Sequence, residues 1–184
     1  MQIQAFVIKK QPHGEYDQLI TCYTEELGKI TAVAKSSLKQ NSIQGMHLDY
    51  FNRVEFDLVS GRGVPIITGA QVVESFHRLK DSLPKLSAGY FFLEAFDRIV
   101  FEYERDEELW QFLSKLFEKL NNQEIKLSDF RQYQKALLQV LGYAPAVLTL
   151  QQQNLRSHSE LDAMFEQTAQ RQFSSLKLLY NVLL

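Results

Sequence analysis

The sequence predicts an α+β chain: a five-stranded OB-fold β-barrel over residues 1–78, followed by an α-helical domain over 79–184. Three observations predict it. Short alternating or wholly apolar runs fill roughly the first seventy residues, and turn residues separate them. Near Arg78-Leu79-Lys80-Asp81-Ser82-Leu83-Pro84 the hydrophobic period shifts from two to 3.6. Glycines become rare from that point on.

The first strand, about 1–10, is apolar on both faces around Phe6, Val7 and Ile8 and ends at Lys9-Lys10. Such a strand suits a place where a barrel closes or a helix covers the sheet. Pro12-His13-Gly14 turns the chain into the hairpin on which the barrel is organised. Leu19, Thr21 and Tyr23 alternate with Ile20, Cys22 and Thr24, a β-branched and aromatic run suited to a pleat. Glu25-Glu26-Leu27-Gly28 reverses the chain, with Gly28 free to adopt φ > 0. The third strand sends Ile30, Ala32 and Ala34 inward and Lys29, Thr31, Val33 and Lys35 outward. At about 3.3 Å per residue, Lys29 and Lys35 stand roughly 20 Å apart on an outer face, a spacing for a polyanion. A polar loop over 36–45 leads to a fourth strand at about 50–59, with Val54, Phe56 and Leu58 facing in. Residues 60–63 form a turn, and the fifth strand is expected over 64–68. Five such strands with Gly-rich turns point to the small, partly open OB barrel.

Beyond the barrel, Leu83, Leu86, Tyr90, Leu93 and Ile99-Val100 fit one face of a long helix with Pro84 in its first turn. Asp106-Glu107-Glu108 caps a second helix, which buries Trp110, Leu113, Leu116-Phe117 and Leu120. Ser128-Asp129 starts a third, carrying Phe130, Leu137-Leu138 and Leu141 and ending at Gly142 ahead of Pro145. Residues 146–156 read as a loop. Ser157-His158-Ser159-Glu160 reads as a capping box for one last helix with Leu161, Phe165, Phe173, Leu176 and Leu179-Tyr180.

Composition narrows the function. The 184 residues are 45% hydrophobic and 23% charged, with a net charge of -2, an ordinary globular balance rather than a basic one. Residues 1–80 hold nine basic against eight acidic side chains, so any polyanion site must come from local clustering. No run is apolar and long enough to cross a bilayer, and the N-terminus has no signal-peptide pattern. The lone Cys22 excludes an internal disulfide and fits a cytoplasmic chain, where it reads as a buried filler. His13, His47, His77 and His158 are dispersed, so neither a metal site nor any other cofactor is expected. Glu15 and Asp17 sit beside a turn, where carboxylates bond local N–H groups. Gly61-Arg62-Gly63 lacks the strand–loop–helix setting of a phosphate loop. No catalytic constellation is visible. The candidate set is Lys9, Lys10, Lys29, Lys35, Lys39 and Arg62, which is either a solvated sheet face or a phosphate track. Tyr16, Tyr23 and Tyr50 are candidate stacking residues.

Together, several groups of residues resemble the RecO family of bacterial DNA repair. They are Val7-Ile8-Lys9, Gly14-Glu15 with Asp17, Thr24, Gly28-Lys29 and Ala32-Val33-Ala34-Lys35, then Val54-Glu55-Phe56, Gly61-Arg62-Gly63 and Glu74-Ser75-Phe76. Arg131, Tyr133, Leu137-Leu138, Leu141-Gly142-Tyr143 and Pro145 resemble that family's helix before its zinc region. The resemblance implies a non-enzymatic recombination mediator of the bacterial cytosol that binds single- and double-stranded DNA and promotes annealing. It further implies RecR as partner, RecA loading as an indirect outcome, and docking of the single-strand-binding protein tail. By the resemblance Arg131 matches the basic position for that tail, with Lys135 on the same helix as the alternative. The chain departs from the family pattern in three ways: Ala146-Val147-Leu148 stand in place of zinc cysteines, only Lys39 remains of an arginine-rich loop, and the helical lobe is shortened. A protein-interaction adaptor with little DNA affinity is the other reading.

Overall fold

Strand β1, Gln2–His13, carries the barrel and the contact to the helices at once, because both of its faces are apolar over residues 3–8. It is antiparallel to β2, Asp17–Thr24, with Val7 opposite Cys22 but Lys9 opposite Thr21, so Ile8 is an extra residue in the ladder. Plain alternation sends Ile3, Ala5 and Val7 into the barrel and Phe6 and Ile8 into a second core outside it, and the bulge at Ile8 then shifts the phase of the rest of the strand. It also turns Lys9 out of the interior. The computed structural model describes residues 2–60, 63–143 and 159–183.

β2 continues antiparallel into β3, Gly28–Ala34. A short helix α1, Ile43–His47, follows, and then β4, Asn52–Val59, and β5, Ile66–Ser75. The sheet closes in the order β1-β2-β3-β5-β4, with β3 parallel to β5 and β1 antiparallel to β4. Ile20, Cys22, Ile30, Ala32, Ala34, Val54, Phe56 and Ile67 fill its interior, as the alternation predicts. Three expectations need correction. β1 runs past Lys10, with Pro12 and His13 paired to Gln18 and Asp17, so the turn starts only at Gly14. The polar loop contains α1, whose N-cap Ser42 accepts from the Gly45 N–H at 3.1 Å. The fifth strand starts at Ile66 and runs on to Ser75, because its long antiparallel ladder with β4 continues through two irregularities.

The helices are α2 (His77–Lys80), α3 (Leu83–Ile99), α4 (Glu107–Asn122), α5 (Leu127–Val140), α6 (Ser159–Ala169) and α7 (Ser174–Leu183). α3 is the axis of the helical part. Its Phe91 ring lies 5.0 Å from that of Phe130 and 5.1 Å from those of Phe92, Phe165 and Phe173. Truncating such a ring costs about 3–5 kcal/mol. The buried face of α3 is Ala88, Phe91, Phe92, Leu93, Ala95 and Phe96; of the expected stripe Leu93 and Val100 are buried, whereas Leu83 is 52% exposed. Asp106 Oδ1 caps α4, accepting from Glu108 N and Leu109 N. α5 starts earlier than Ser128. Its N-cap is Lys126, and Asp129 reaches back to accept the Lys126 N–H at 2.9 Å. Gly142, at φ 85, ends it as expected. The last helix is two, parted at Gln170 with φ 53 and Arg171. Pro145, the 146–156 loop and the Ser157-His158 start of the capping box lie outside the described residues.

The second core joins both parts. Phe6, Ile8, Tyr23, Phe51 and Phe76 pack with Phe96, Trp110, Leu113 and Phe117.

Candidate nucleic-acid interface

The outer face of β2–β3 has two ends with opposite fates. At the open end the β1–β2 turn, the end of β3 and the approach to β5 converge. Leu38 N donates to Tyr16 O at 2.9 Å, and Val33 N donates to Pro65 O at 2.8 Å. Lys35 (58% exposed) pairs with Asp17 at 2.7 Å, and Lys39 lies 5.5 Å over the Tyr16 ring, itself 46% exposed. The hydrogen bond from Lys35, then that from the Ser36 N–H, hold the Asp17 carboxyl below its ordinary range. Glu15 and Asp17 offset the two lysines, so the cluster is nearly neutral. Arg62 lies outside the described residues.

At the other end the linker 100–106 is strapped across the hairpin. Lys29 is 7% exposed. Its Nζ donates to the Asp97 carbonyl at 2.8 Å, in the last turn of α3, where a cation meets the negative helix end. Tyr103 N donates to Lys29 O at 2.9 Å, Glu102 accepts from Thr31 Oγ1 at 3.1 Å, and Tyr23 Oη donates to Asp106 O at 3.1 Å. A Cβ on Gly28 would lie 2.0 Å from the Glu104 carbonyl oxygen. The expectation that Lys29 and Lys35 share a solvated face therefore needs correction. Lys29 points out of the barrel, but the helical part covers it, and burial lowers its pKa.

The other basic candidates stand apart from this face, along β1. Lys9 pairs with Asp97 at 2.9 Å. Lys10 pairs with Asp49 at 3.1 Å, which also binds Lys80, and lies 5.4 Å over the Tyr50 ring. Burial alone would raise the Asp49 pKa, but the hydrogen bonds from Lys10 and Lys80 outweigh it and lower it. Of the candidate stacking residues, Tyr23 is buried and Tyr50 packs edge-on against Tyr90.

On α5, Arg131 is 9% exposed and bonds Gln134 at 2.7 Å and Asp162 Oδ1 at 2.6 Å, with Tyr180 completing the cluster. Lys135 is half-buried on the same helix. Sequence reasoning could not see this cluster, because its partners lie on α6 and α7. Cys22 is fully buried, which raises its thiol pKa far above the ordinary value. Among the described residues no group of three or more His, Cys, Asp or Glu is placed to hold a metal ion. No helix among them is long and apolar enough to cross a membrane.

A closed five-stranded barrel in this strand order, with a helix between its third and fourth strands, makes this an OB-fold protein carrying a helical domain. The model described as Recombination protein O N terminal matches residues 1–76, and that described as Recombination protein O C terminal matches 80–148. The chain belongs to the recombination protein O family. Among similar curated proteins, one from Salinibacter ruber, named DNA repair protein RecO, is 29% identical over 80% of this chain and 58% of its own length. One of the same name from a Roseiflexus species is 30% identical over 77% of this chain and 50% of its own. The chain thus spans about half to three-fifths of the length of these relatives.

Proposed function

We propose that this chain is a non-enzymatic mediator of DNA repair and recombination in the bacterial cytosol that binds single- and double-stranded DNA at the open end of β2–β3. Family membership over both the barrel and the helices carries this reading. Tyr16 lies in the β1–β2 turn, one of the loops that OB-folds use for oligonucleotides, and Lys35 and Lys39 stand beside it just past the end of β3. Lys29 has a different part: it ties α3 to the barrel. Lys9 and Lys10 hold Asp97 and Asp49, and reach phosphate only by giving up those pairs.

By this reading annealing, RecR binding and RecA loading follow the family pattern. The single-strand-binding protein tail meets Lys135 first. It engages Arg131 only after displacing Asp162, since Arg131 already holds a carboxylate. A titration of labelled single-stranded DNA at two salt concentrations tests the proposal. Two phosphate contacts give a log–log slope of about −1.4, and three about −2. Affinity independent of salt would favour the adaptor, which the near-neutral cluster also suits.

A further inference from the structure

Phe101 and Tyr103 are 71% and 62% exposed on the strap, and Tyr143 is 39% exposed beside them at the end of α5. Tyr103 also holds φ 60, a conformation costly for a non-glycine residue, with its ring in solvent. Between strap and α5 lies a groove of about 230 Å³ with Ile99, Val100, Leu109, Val140 and Leu141 along it and Phe101, Tyr143, Glu104 and Asp106 around it. That volume is below the roughly 300–1,000 Å³ of small-molecule sites. It takes one long side chain.

We propose that this groove docks an arginine-bearing, basic segment of a partner protein. A guanidinium side chain has the matching parts: a methylene stem for the aliphatic floor, and a planar cation for aromatic faces and a carboxylate. Asp106 Oδ1 already serves the first N–H groups of α4, which leaves the Glu104 carboxylate and Asp106 Oδ2 at the groove to receive the cation. Residues 101–108 hold Glu102, Glu104, Asp106, Glu107 and Glu108 against Arg105 alone. That charge steers a basic segment in and repels phosphate. The ledge is also preformed, because the Tyr103 N–H and the Glu104 carbonyl are fixed against β3.

The test is fluorescence anisotropy of the full chain with a short labelled peptide of alternating arginine and leucine. Citrulline and glutamate replace arginine in two control peptides. The arginine peptide should bind, and affinity should fall about tenfold on changing arginine to citrulline and again in Glu104→Lys. Phe101→Ala with Tyr143→Ala should cost a similar factor, while Lys35→Ala with Lys39→Ala should cost nothing. Circular dichroism checks that each variant is folded. Equal binding of the glutamate peptide, or unchanged affinity in both groove variants, would overturn the proposal. So would absence of binding, displacement by a single-stranded oligonucleotide, or self-association that Phe101→Ala with Tyr143→Ala abolishes.

Discussion

The turns at the two ends of β2 each carry a glycine, at nearly the same φ and in opposite surroundings. Gly14 at φ 70 has nothing within 4 Å of a built Cβ, whereas Gly28 at φ 69 faces the Glu104 carbonyl at 2.0 Å. One end of the face is open to solvent, and the other is covered by the helical part. An equal φ therefore says little about a residue's role; what lies across from it decides.

That contrast can be broken most sharply at the turns themselves. Gly28→Ala should cost roughly 2–5 kcal/mol, from left-handed strain plus the clash with fixed backbone. Gly14→Ala should cost only about 1–2 kcal/mol, from strain alone. Urea unfolding of both variants measures the gap, and equal losses would mean the strap yields easily. Next in size, Lys29→Ala should lower stability by about 1–3 kcal/mol, since it strips a donor from the buried end of α3. DNA affinity of the folded variant should not change.

At the open end the signs reverse. Lys35→Ala with Lys39→Ala should leave stability within about 0.5 kcal/mol, as surface changes do, and flatten the single-strand salt slope by about 1.4. The smallest effect belongs to Asp17→Asn, which frees Lys35 while an amide oxygen still serves the Ser36 N–H. Single-strand affinity should rise roughly 1.5- to 5-fold, the scale of an exposed ion pair. The pH behaviour follows from the same pair. Asp17 has its folded pKa held below its unfolded value, so the pair's small contribution is present above about pH 4. It disappears as pH falls through the folded pKa, and a binding titration between pH 3 and 5 should show it.

The barrel interior was legible because period-two alternation assigns Ile30, Ala32 and Ala34 to one side whatever covers the other. The outer side was not. Alternation puts Lys29 outside the barrel correctly but cannot tell solvent from a neighbouring domain, and the strap comes from about seventy residues away in sequence. The bulge at Ile8 left no glycine as a marker. The break at Gln170 was hidden for a similar reason, since neither glycine nor proline stands there. Caps carried by single carboxylates fared better: Asp106 was found in place, whereas Asp129 was found in the right turn under a different N-cap. The cluster of Arg131, Asp162 and Tyr180 shows the same limit, because only the fold brings α5, α6 and α7 together.

The shared second core has a consequence for handling the molecule. A fragment cut between the two family segments would uncover Phe6, Ile8, Tyr23, Phe51 and Phe76 on one flank of the barrel. Such a fragment should clump, whatever the quality of its own interior, because a bare patch of that kind recruits other copies. The boundary that divides the chain in ancestry is not a seam along which it can be taken apart. Soluble expression of residues 1–76 would need polar replacements on that flank, made before any DNA measurement on the barrel alone could be interpreted.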